Sequence, residues 1–207
     1  MKTIIKNACN RIYDLKRRRY LTKNFSNLYN KDFTIFSCNC TGGVLYHDLN
    51  MKFLSPTINM YMVCEDFIKF CENPKHYLSL EMEEYKGDIV RDYPIATLGD
   101  ITLFLVHYES IGEAAKKWNR RKARINWDNI FVIGTDRDGF NEELSNRFDL
   151  LPYKKVLFTH LPDDNPNHFY IKGFEDETQV GTVVEKTSRL SGKRVYDRFD
   201  WVTFFND

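Results

Sequence analysis

The stretch Phe33-Thr-Ile-Phe-Ser-Cys-Asn-Cys-Thr-Gly-Gly-Val44 contains the strand-to-helix unit from which the fold can be worked out. Its first four residues, 33–36, are all aromatic or β-branched, and they predict a short buried strand. Residues 37–43 are small or polar and end in two glycines, which predicts a loop. A short helix is then expected at Val44–Asn50.

Strands and helices alternate along the rest of the chain. Further strands are predicted at Asn59–Cys64, Ile101–His107, Ile130–Thr135, Val156–Thr159 and, at an edge, Phe169–Gly173. Helices are predicted at Glu65–Glu72, Glu113–Ile125, Glu142–Phe148 and Asp197–Phe205. Strands separated by helices are typical of βαβ units. We therefore predict the α/β class, as a Rossmann-like three-layer α/β/α fold with a mostly parallel sheet and helices on both faces.

The composition is that of a soluble globular protein. The chain has 207 residues, of which 43% are hydrophobic and 29% charged, with a formal net charge of +1. These values exclude a disordered, collagen-like or membrane-spanning chain. No apolar run approaches the roughly 20 residues of a spanning helix, and the N-terminus lacks the apolar block of a signal peptide. The near-neutral charge gives no reason to expect a nucleic-acid partner.

The charge is distributed unevenly. Residues 1–31 contain nine lysines and arginines against Asp14 alone, a net charge of +8, which leaves −7 for the remainder. We predict a basic N-terminal helical arm over 1–31 and a single α/β domain over 32–207. The basic cluster Lys16–Arg19 allows two interpretations. The arm packs on its own acidic body, or it docks on an anionic membrane or a membrane enzyme at the inner face of the membrane.

The loop Ser37–Gly43 is the first candidate binding site, because ligands in open α/β sheets bind beyond the carboxyl ends of the strands. The adjacent Gly42 and Gly43 would let the backbone approach a phosphate, with Ser37, Asn39 and Thr41 as further ligand-binding residues. The alternative is a tight turn that needs glycine conformations.

Cysteine usage predicts a reducing location and one candidate nucleophile. Five cysteines without a C-x-x-C pair argue against disulfides and for the cytoplasm, and the spacing of Cys38 and Cys40 is poor for zinc. Cys40 lies near a predicted helix N-terminus, which lowers the pKa of a thiol, and His107 or His160 could serve as its base. The alternative is a small buried apolar residue.

A second group of candidates follows the strand predicted at Ile101–His107. His107 would emerge at its end and could act in acid–base catalysis, with Tyr108 beside it as a substrate-binding residue. The alternative is a structural histidine that is hydrogen-bonded under the next helix. On the next helix, Trp118 and Arg121 are further candidate substrate-binding residues, with Trp118 on an apolar stripe and Arg121 on its edge. Arg121 would bind either a ligand phosphate or a carboxylate of the protein.

Asp136-Arg-Asp138-Gly139 follows the strand Ile130–Thr135. Asp-x-Asp at a strand end can hold a divalent cation against a diphosphate, but the same residues are typical of a turn. We assign no metal to it, and the sequence identifies no cofactor.

Two blocks of spaced residues resemble one bacterial family, catalogued as domain of unknown function 1919, whose members are often labelled exopolysaccharide-biosynthesis proteins. The first block is Phe36–Gly43, Tyr46, Leu49, Phe53, Ser55–Thr57, Glu65–Phe67, Phe70 and Tyr77-Leu78. The second is Tyr93-Pro94, Leu98, Asp100-Ile101, His107-Tyr108, Glu113-Ala114, Trp118, Arg121, Arg124-Ile125 and Asp128-Asn129. The resemblance spans roughly Phe33 to Lys155 and implies a role in surface-polysaccharide assembly.

Two functions are consistent with these observations. The first is a cytoplasmic transferase that acts on a phosphorylated or nucleotide-linked sugar or on a sugar acceptor, with His107 as base. The second is a non-catalytic partner that docks on a membrane glycosyltransferase through residues 1–31.

Overall fold

The computed structural model describes residues 2–188 and 190–207, with side chains from Cys9 onward. The helices are α1 (Lys2–Asn24), α2 (Thr41–Asp48), α3 (Cys64–Glu72), α4 (Pro74–Ser79), α5 (Ile111–Lys122), α6 (Glu142–Asp149) and α7 (Trp201–Asn206). The strands are β1 (Thr34–Ser37), β2 (Glu83–Glu84), β3 (Ile95–Leu98), β4 (Ile101–Phe104), β5 (Ile130–Thr135), β6 (Lys154–Thr159) and β7 (His168–Tyr170). A short 3₁₀ helix spans Val195–Arg198.

A parallel sheet with the strand order β1-β5-β6-β7 forms the centre of the described chain. In β1, Thr34 aligns with Ile130 of β5 and Ser37 with Ile133. In β5, Thr135 aligns with Phe158 of β6. All residues of β1 and β5 are buried, as expected for parallel strands that are covered on both faces.

Alternate residues of these strands face two separate apolar clusters. Phe36 and Val132 belong to one cluster, together with Phe70 of α3 and Trp118 of α5. Ile35, Phe131 and Ile133 belong to the other, which includes residues of α2 and α7. The period of two along each strand thus buries both faces of the sheet. The mixed α/β class and the parallel sheet are confirmed, and the Rossmann-like three-layer arrangement stays a prediction.

The assignment of Ile101–His107 to the parallel sheet is wrong. β4 ends at Phe104 and pairs antiparallel with β3, which in turn pairs with β2. Leu98 faces Ile101 across the two-residue turn Gly99-Asp100, and Gly99 has a φ of +60°. Glycine at the first central position is typical of a hairpin turn, so the sequence does contain a signal for this hairpin.

The strand expected at Asn59–Cys64 is also wrong, because this segment is a connector between the two sheets. The Tyr61 amide donates to the Phe104 carbonyl over 3.0 Å, and the Met62 amide donates to the Cys38 carbonyl over 2.9 Å. The segment therefore joins β4 to the end of β1 and has only a single bridge to a strand.

Other element boundaries shift by a few residues, and the closing helix is divided in two. α2 begins at Thr41 rather than Val44, α5 covers Ile111–Lys122 rather than Glu113–Ile125, and β6 begins two residues before Val156. The helix expected at Asp197–Phe205 is divided into the 3₁₀ turn and α7, since the side chain of Asp200 caps a new helix by accepting from the Thr203 amide.

Arg17 connects α1 to the body of the protein. Its guanidinium forms ion pairs with Asp48 at the end of α2 and with Asp197 of the 3₁₀ turn, and it donates to the Tyr196 hydroxyl over 2.9 Å. Arg17 is only 5% exposed, so it does not belong to an exposed cluster Lys16–Arg19. The side chains of Lys2 and Lys6, which contribute to the predicted basic arm, lie outside the described residues.

Among the described residues, no helix is both long enough and apolar enough to cross a membrane.

Replacing Arg17 by Met should destabilise the protein strongly, since the buried Asp197 would lose its cation and the buried Asp48 would keep only Arg194, at 3.4 Å. Breaking a buried ion pair costs about 3–5 kcal/mol. The matched change Arg18→Met, at an exposed neighbour, should stay within about 0.5 kcal/mol. Urea unfolding of the three proteins at about pH 7 measures both values. Equal effects of the two substitutions would contradict this role of Arg17.

The difference in free energy of unfolding between wild type and the Arg17→Met variant should become smaller at acidic pH. Burial alone would raise the pKa of Asp48, but hydrogen bonds from Arg17 and Tyr196 outweigh burial and lower the pKa below its ordinary value of 3.8. A lowered carboxyl pKa stabilises the fold above the unfolded pKa, and this contribution is lost as the pH falls through the folded pKa. When the free energy of unfolding is measured from about pH 7 down to about pH 3, the wild-type value should therefore fall toward that of the variant.

Candidate functional site

A cavity of about 560 Å³ lies where the chain leaves β1 and β5. These strands are adjacent and parallel, so both end at the same edge of the sheet. Residues 38–41, which follow β1, line one side of the cavity, and residues 181–184 line another. The lining also includes Val44, Tyr61, Met62, His107, Thr135, Arg137 and Asp138.

The loop after β1 is shaped by Asn39. Its side-chain oxygen accepts from the Thr41 amide over 3.0 Å and from the Thr41 hydroxyl over 2.6 Å. This turn starts α2, with Cys40 at the capping position. Both Asn39 and Thr41 line the cavity as predicted, but their mutual hydrogen bonds already use the Asn39 oxygen and the Thr41 amide.

Gly42 and Gly43 allow α2 to pack closely on the sheet. A Cβ atom at Gly42 would lie 3.0 Å from the Ile35 Cγ2 atom and 3.1 Å from the Ser37 Cβ atom, and one at Gly43 would lie 3.3 Å from Ile58. Both glycines are helical and buried, and neither has a positive φ. The alternative interpretation, a turn that needs glycine conformations, is therefore wrong, because these positions need glycine for close packing of the helix on the sheet.

Ser37 is buried and does not line the cavity. It is 1% exposed, and its amide donates to the Thr57 hydroxyl over 3.2 Å. Its own hydroxyl is buried and has no hydrogen-bond partner among the described residues. The assignment of Ser37, Gly42 and Gly43 as direct ligand-binding residues is therefore wrong, because they pack within the fold and the lining part of this loop is 38–41.

Neither cysteine of the loop has the lowered pKa that is expected of a nucleophile. Burial raises the pKa of Cys38 to about 11 and also raises the pKa of Cys40. This direction is opposite to the lowered pKa that a helix N-terminus predicts, because desolvation disfavours the thiolate. Both cysteines line the cavity as neutral thiols, and His160, the alternative base, pairs with Asp136 instead.

His107 reaches the same cavity by a route that the sequence does not predict. It lies in the turn after β4, outside the parallel sheet, and its amide donates to the Asn59 carbonyl over 3.3 Å. The connector around Tyr61 holds β4 beside the end of β1, and this places the exposed His107 opposite the loop 38–41. The predicted meeting of His107 with this loop is thus observed.

Tyr108, Trp118 and Arg121 point into the core, and none of the described residues that line the cavity comes from α5. Trp118 is 1% exposed. Arg121 donates to the Tyr108 hydroxyl over 2.8 Å, and the Tyr108 hydroxyl donates to the Ile58 carbonyl over 2.7 Å. The Arg121 guanidinium also lies 5.2 Å from the centre of the Phe53 ring. Within the described chain, Arg121 pairs with a phenol, a carbonyl and a ring rather than with a carboxylate.

Asp136 holds the walls of the cavity together. One carboxylate oxygen accepts from the Val180 amide over 2.7 Å, and the other accepts from the His160 amide over 2.7 Å and from the His160 ring. Because protein donors bind both of its carboxylate oxygens, Asp136 has a structural role rather than a ligand-binding one. Asp138 and Gly139 both have a positive φ, as the turn interpretation of this segment predicts.

Arg137 and residues 181–184 are lining residues that sequence reasoning missed. The Arg137 guanidinium donates to the Val180 carbonyl over 2.7 Å, which is its one hydrogen bond to the described residues. Arg137 lies between two aspartates directly after a buried strand, and this position is the sequence feature that indicates a lining residue. Residues 181–184 carry no chemical motif, and their place in the site depends on the long-range bond between Val180 and Asp136.

Comparison with known proteins identifies the family of this chain and a related protein of similar length. The family described as domain of unknown function (DUF1919) matches residues 12–206. An uncharacterized protein of Haemophilus influenzae is 38% identical over 205 residues, which covers 98% of this chain and 96% of that protein. The match extends well beyond the blocks of residues 33–155 that carry the resemblance, and the chain therefore belongs to the family of domain of unknown function 1919.

Proposed function

We propose that this protein is a cytoplasmic transferase of surface-polysaccharide assembly that binds a phosphorylated or nucleotide-linked sugar in the cavity beside β1 and β5. The observation that carries the proposal is the convergence of an exposed imidazole, His107, and a guanidinium, Arg137, on one cavity at the carboxyl edge of a parallel sheet. This edge is where α/β sheets bind their ligands.

The size and lining of the cavity suit such a substrate. Ligand pockets commonly measure about 300–1,000 Å³ and combine apolar walls with a few polar groups. Here Val44, Met62 and Val183 supply apolar surface, and Tyr61 adds an aromatic side chain that can contact a sugar. The choice of a sugar substrate rests on the family resemblance.

Arg137 is the group suited to a phosphate. A guanidinium has five N–H donors, and Arg137 uses one of its nitrogens on the Val180 carbonyl. That bond orients the side chain, while the remaining donors can bind phosphate oxygens in the forked geometry that arginine favours. Asp138 lies on the same rim and can accept hydrogen bonds from sugar hydroxyls.

His107 is the group suited to move a proton. In the proposed reaction, the hydroxyl of the acceptor gives its proton to the His107 imidazole. The acceptor oxygen forms a bond to the anomeric carbon of the donor, and the bond from that carbon to the phosphate oxygen breaks. The phosphate leaves with the bonding electron pair, and its charge is stabilised by Arg137.

Replacing His107 by Ala should lower turnover about 10²–10⁴-fold, which is the usual contribution of a general base. The side chain is exposed, so the melting temperature should stay unchanged. The assay is release of nucleoside diphosphate from UDP- and GDP-linked sugars, with a lipid-linked sugar as acceptor, because its hydroxyl must lose a proton to attack. The matched control is His76→Ala, at another exposed histidine that lies outside the cavity. Equal turnover of both variants would contradict the role of His107.

Cys40→Ser should keep most of the turnover in the same assay. Burial raises the pKa of this thiol, so Cys40 is a neutral lining residue and its replacement by another small residue removes no reacting group. Any loss of activity should parallel a loss of thermal stability. A selective loss of turnover with an unchanged melting curve would instead identify Cys40 as the nucleophile.

A further inference from the structure

The outward face of α1 combines basic and apolar side chains that are all exposed. Ile12 and Leu15 are 42% and 58% exposed. The exposed basic residues around them are Arg11, Lys16, Arg18, Arg19 and Lys23. At about 100° per residue, these seven side chains occupy roughly half of the helix circumference. We call this set the basic face.

The opposite side of α1 faces the protein. Tyr13 and Arg17 are 2% and 5% exposed, and Arg17 is the residue of α1 that pairs with Asp48 and Asp197. Among the described residues, no carboxylate forms an ion pair with the basic face. Asp14, the one acidic residue in α1, lines a cleft at the edge of the basic face together with Arg17 and Arg18, and it forms no ion pair with the described residues. The acidic body of the protein therefore leaves the charge of the basic face uncompensated.

The loop that precedes the 3₁₀ turn extends this surface. It packs against α1 so closely that a Cβ atom at Gly192 would lie 2.6 Å from the carbonyl carbon of Lys16. The loop presents Leu190, which is 51% exposed, and Lys193, which is also exposed. A third apolar side chain and a further cation thus lie next to the basic face.

We propose that the basic face, together with Leu190 and Lys193, docks the protein peripherally on an anionic lipid surface. Each lysine or arginine near an anionic lipid surface contributes about 1 kcal/mol of attraction, and the apolar side chains interspersed among these cations can enter the headgroup layer. The three apolar residues are dispersed among cations and form no groove, so they suit a lipid surface better than a folded protein partner. At 23 residues, α1 is about 34 Å long and would lie along the membrane plane.

The test is co-sedimentation of the full-length protein with vesicles of phosphatidylcholine that contain about 30% phosphatidylglycerol, compared with pure phosphatidylcholine. Wild type should bind the anionic vesicles at about 0.1 M salt, where the Debye length is about 10 Å. Binding should fall at least about tenfold by 0.5 M salt and should be absent on neutral vesicles.

Two variants separate the charge from the apolar contribution. Arg18→Glu with Arg19→Glu should weaken binding at least about tenfold, and Ile12→Asn with Leu15→Asn should weaken it several-fold at unchanged net charge. The matched control is Lys116→Glu with Arg120→Glu, which changes the same charge at exposed positions of α5. Its binding should stay within about twofold of wild type.

Three results would overturn the proposal. The first is a wild-type protein that does not sediment with anionic vesicles at low salt. The second is an equal loss of binding in the α5 control, since attraction would then depend on net charge alone. The third is retention on immobilised polyglutamate without any vesicle binding, which would identify an acidic protein as the partner. None of these measurements uses enzymatic turnover, so they are independent of the proposed transferase reaction.

Discussion

The arrangement of the cavity depends on the carboxylate of Asp136. This side chain lies just after β5, and it binds the residue after β6 through the His160 amide and the segment before residues 181–184 through the Val180 amide. Three chain segments that are distant in sequence therefore meet at one buried anion. Leaving a buried donor or acceptor without a partner costs free energy of folding, so these hydrogen bonds favour a single arrangement of the three segments. They thereby fix the position of the cavity walls that carry Arg137 and Val183.

The parts of the fold that depend on local patterning follow from the sequence. β5 matches its predicted range, and β1, α3 and α6 agree within one or two residues, because short apolar strands and capped helices have strong local signals. The same reasoning identifies the loop 38–41 as a lining element, since the carboxyl ends of parallel strands share one edge of a sheet.

The remaining features depend on partners that are distant in the chain. β4 has the composition of a buried parallel strand, and only the turn Gly99-Asp100 indicates its antiparallel hairpin. Arg17 lies within a run of four basic residues. It is the buried one because it pairs with Asp48 and Asp197, which lie 31 and 180 positions away in the chain. Arg121 occupies the edge of an apolar stripe as predicted, but its phenol and carbonyl partners come from other segments.

The most direct test of the proposed substrate site is ligand binding in the cavity, measured by thermal shift with nucleotide-linked sugars and sugar phosphates. A ligand at about 100 times its Kd stabilises by about 2.7 kcal/mol, which is roughly 5–10 °C in Tm for a chain of this length. Thr182→Trp, at an exposed lining residue, should fill the cavity and abolish the shift, while Asn119→Trp on α5 should preserve it. An equal shift in both variants, or no shift with any member of the panel, would contradict the assignment of this cavity as the substrate site.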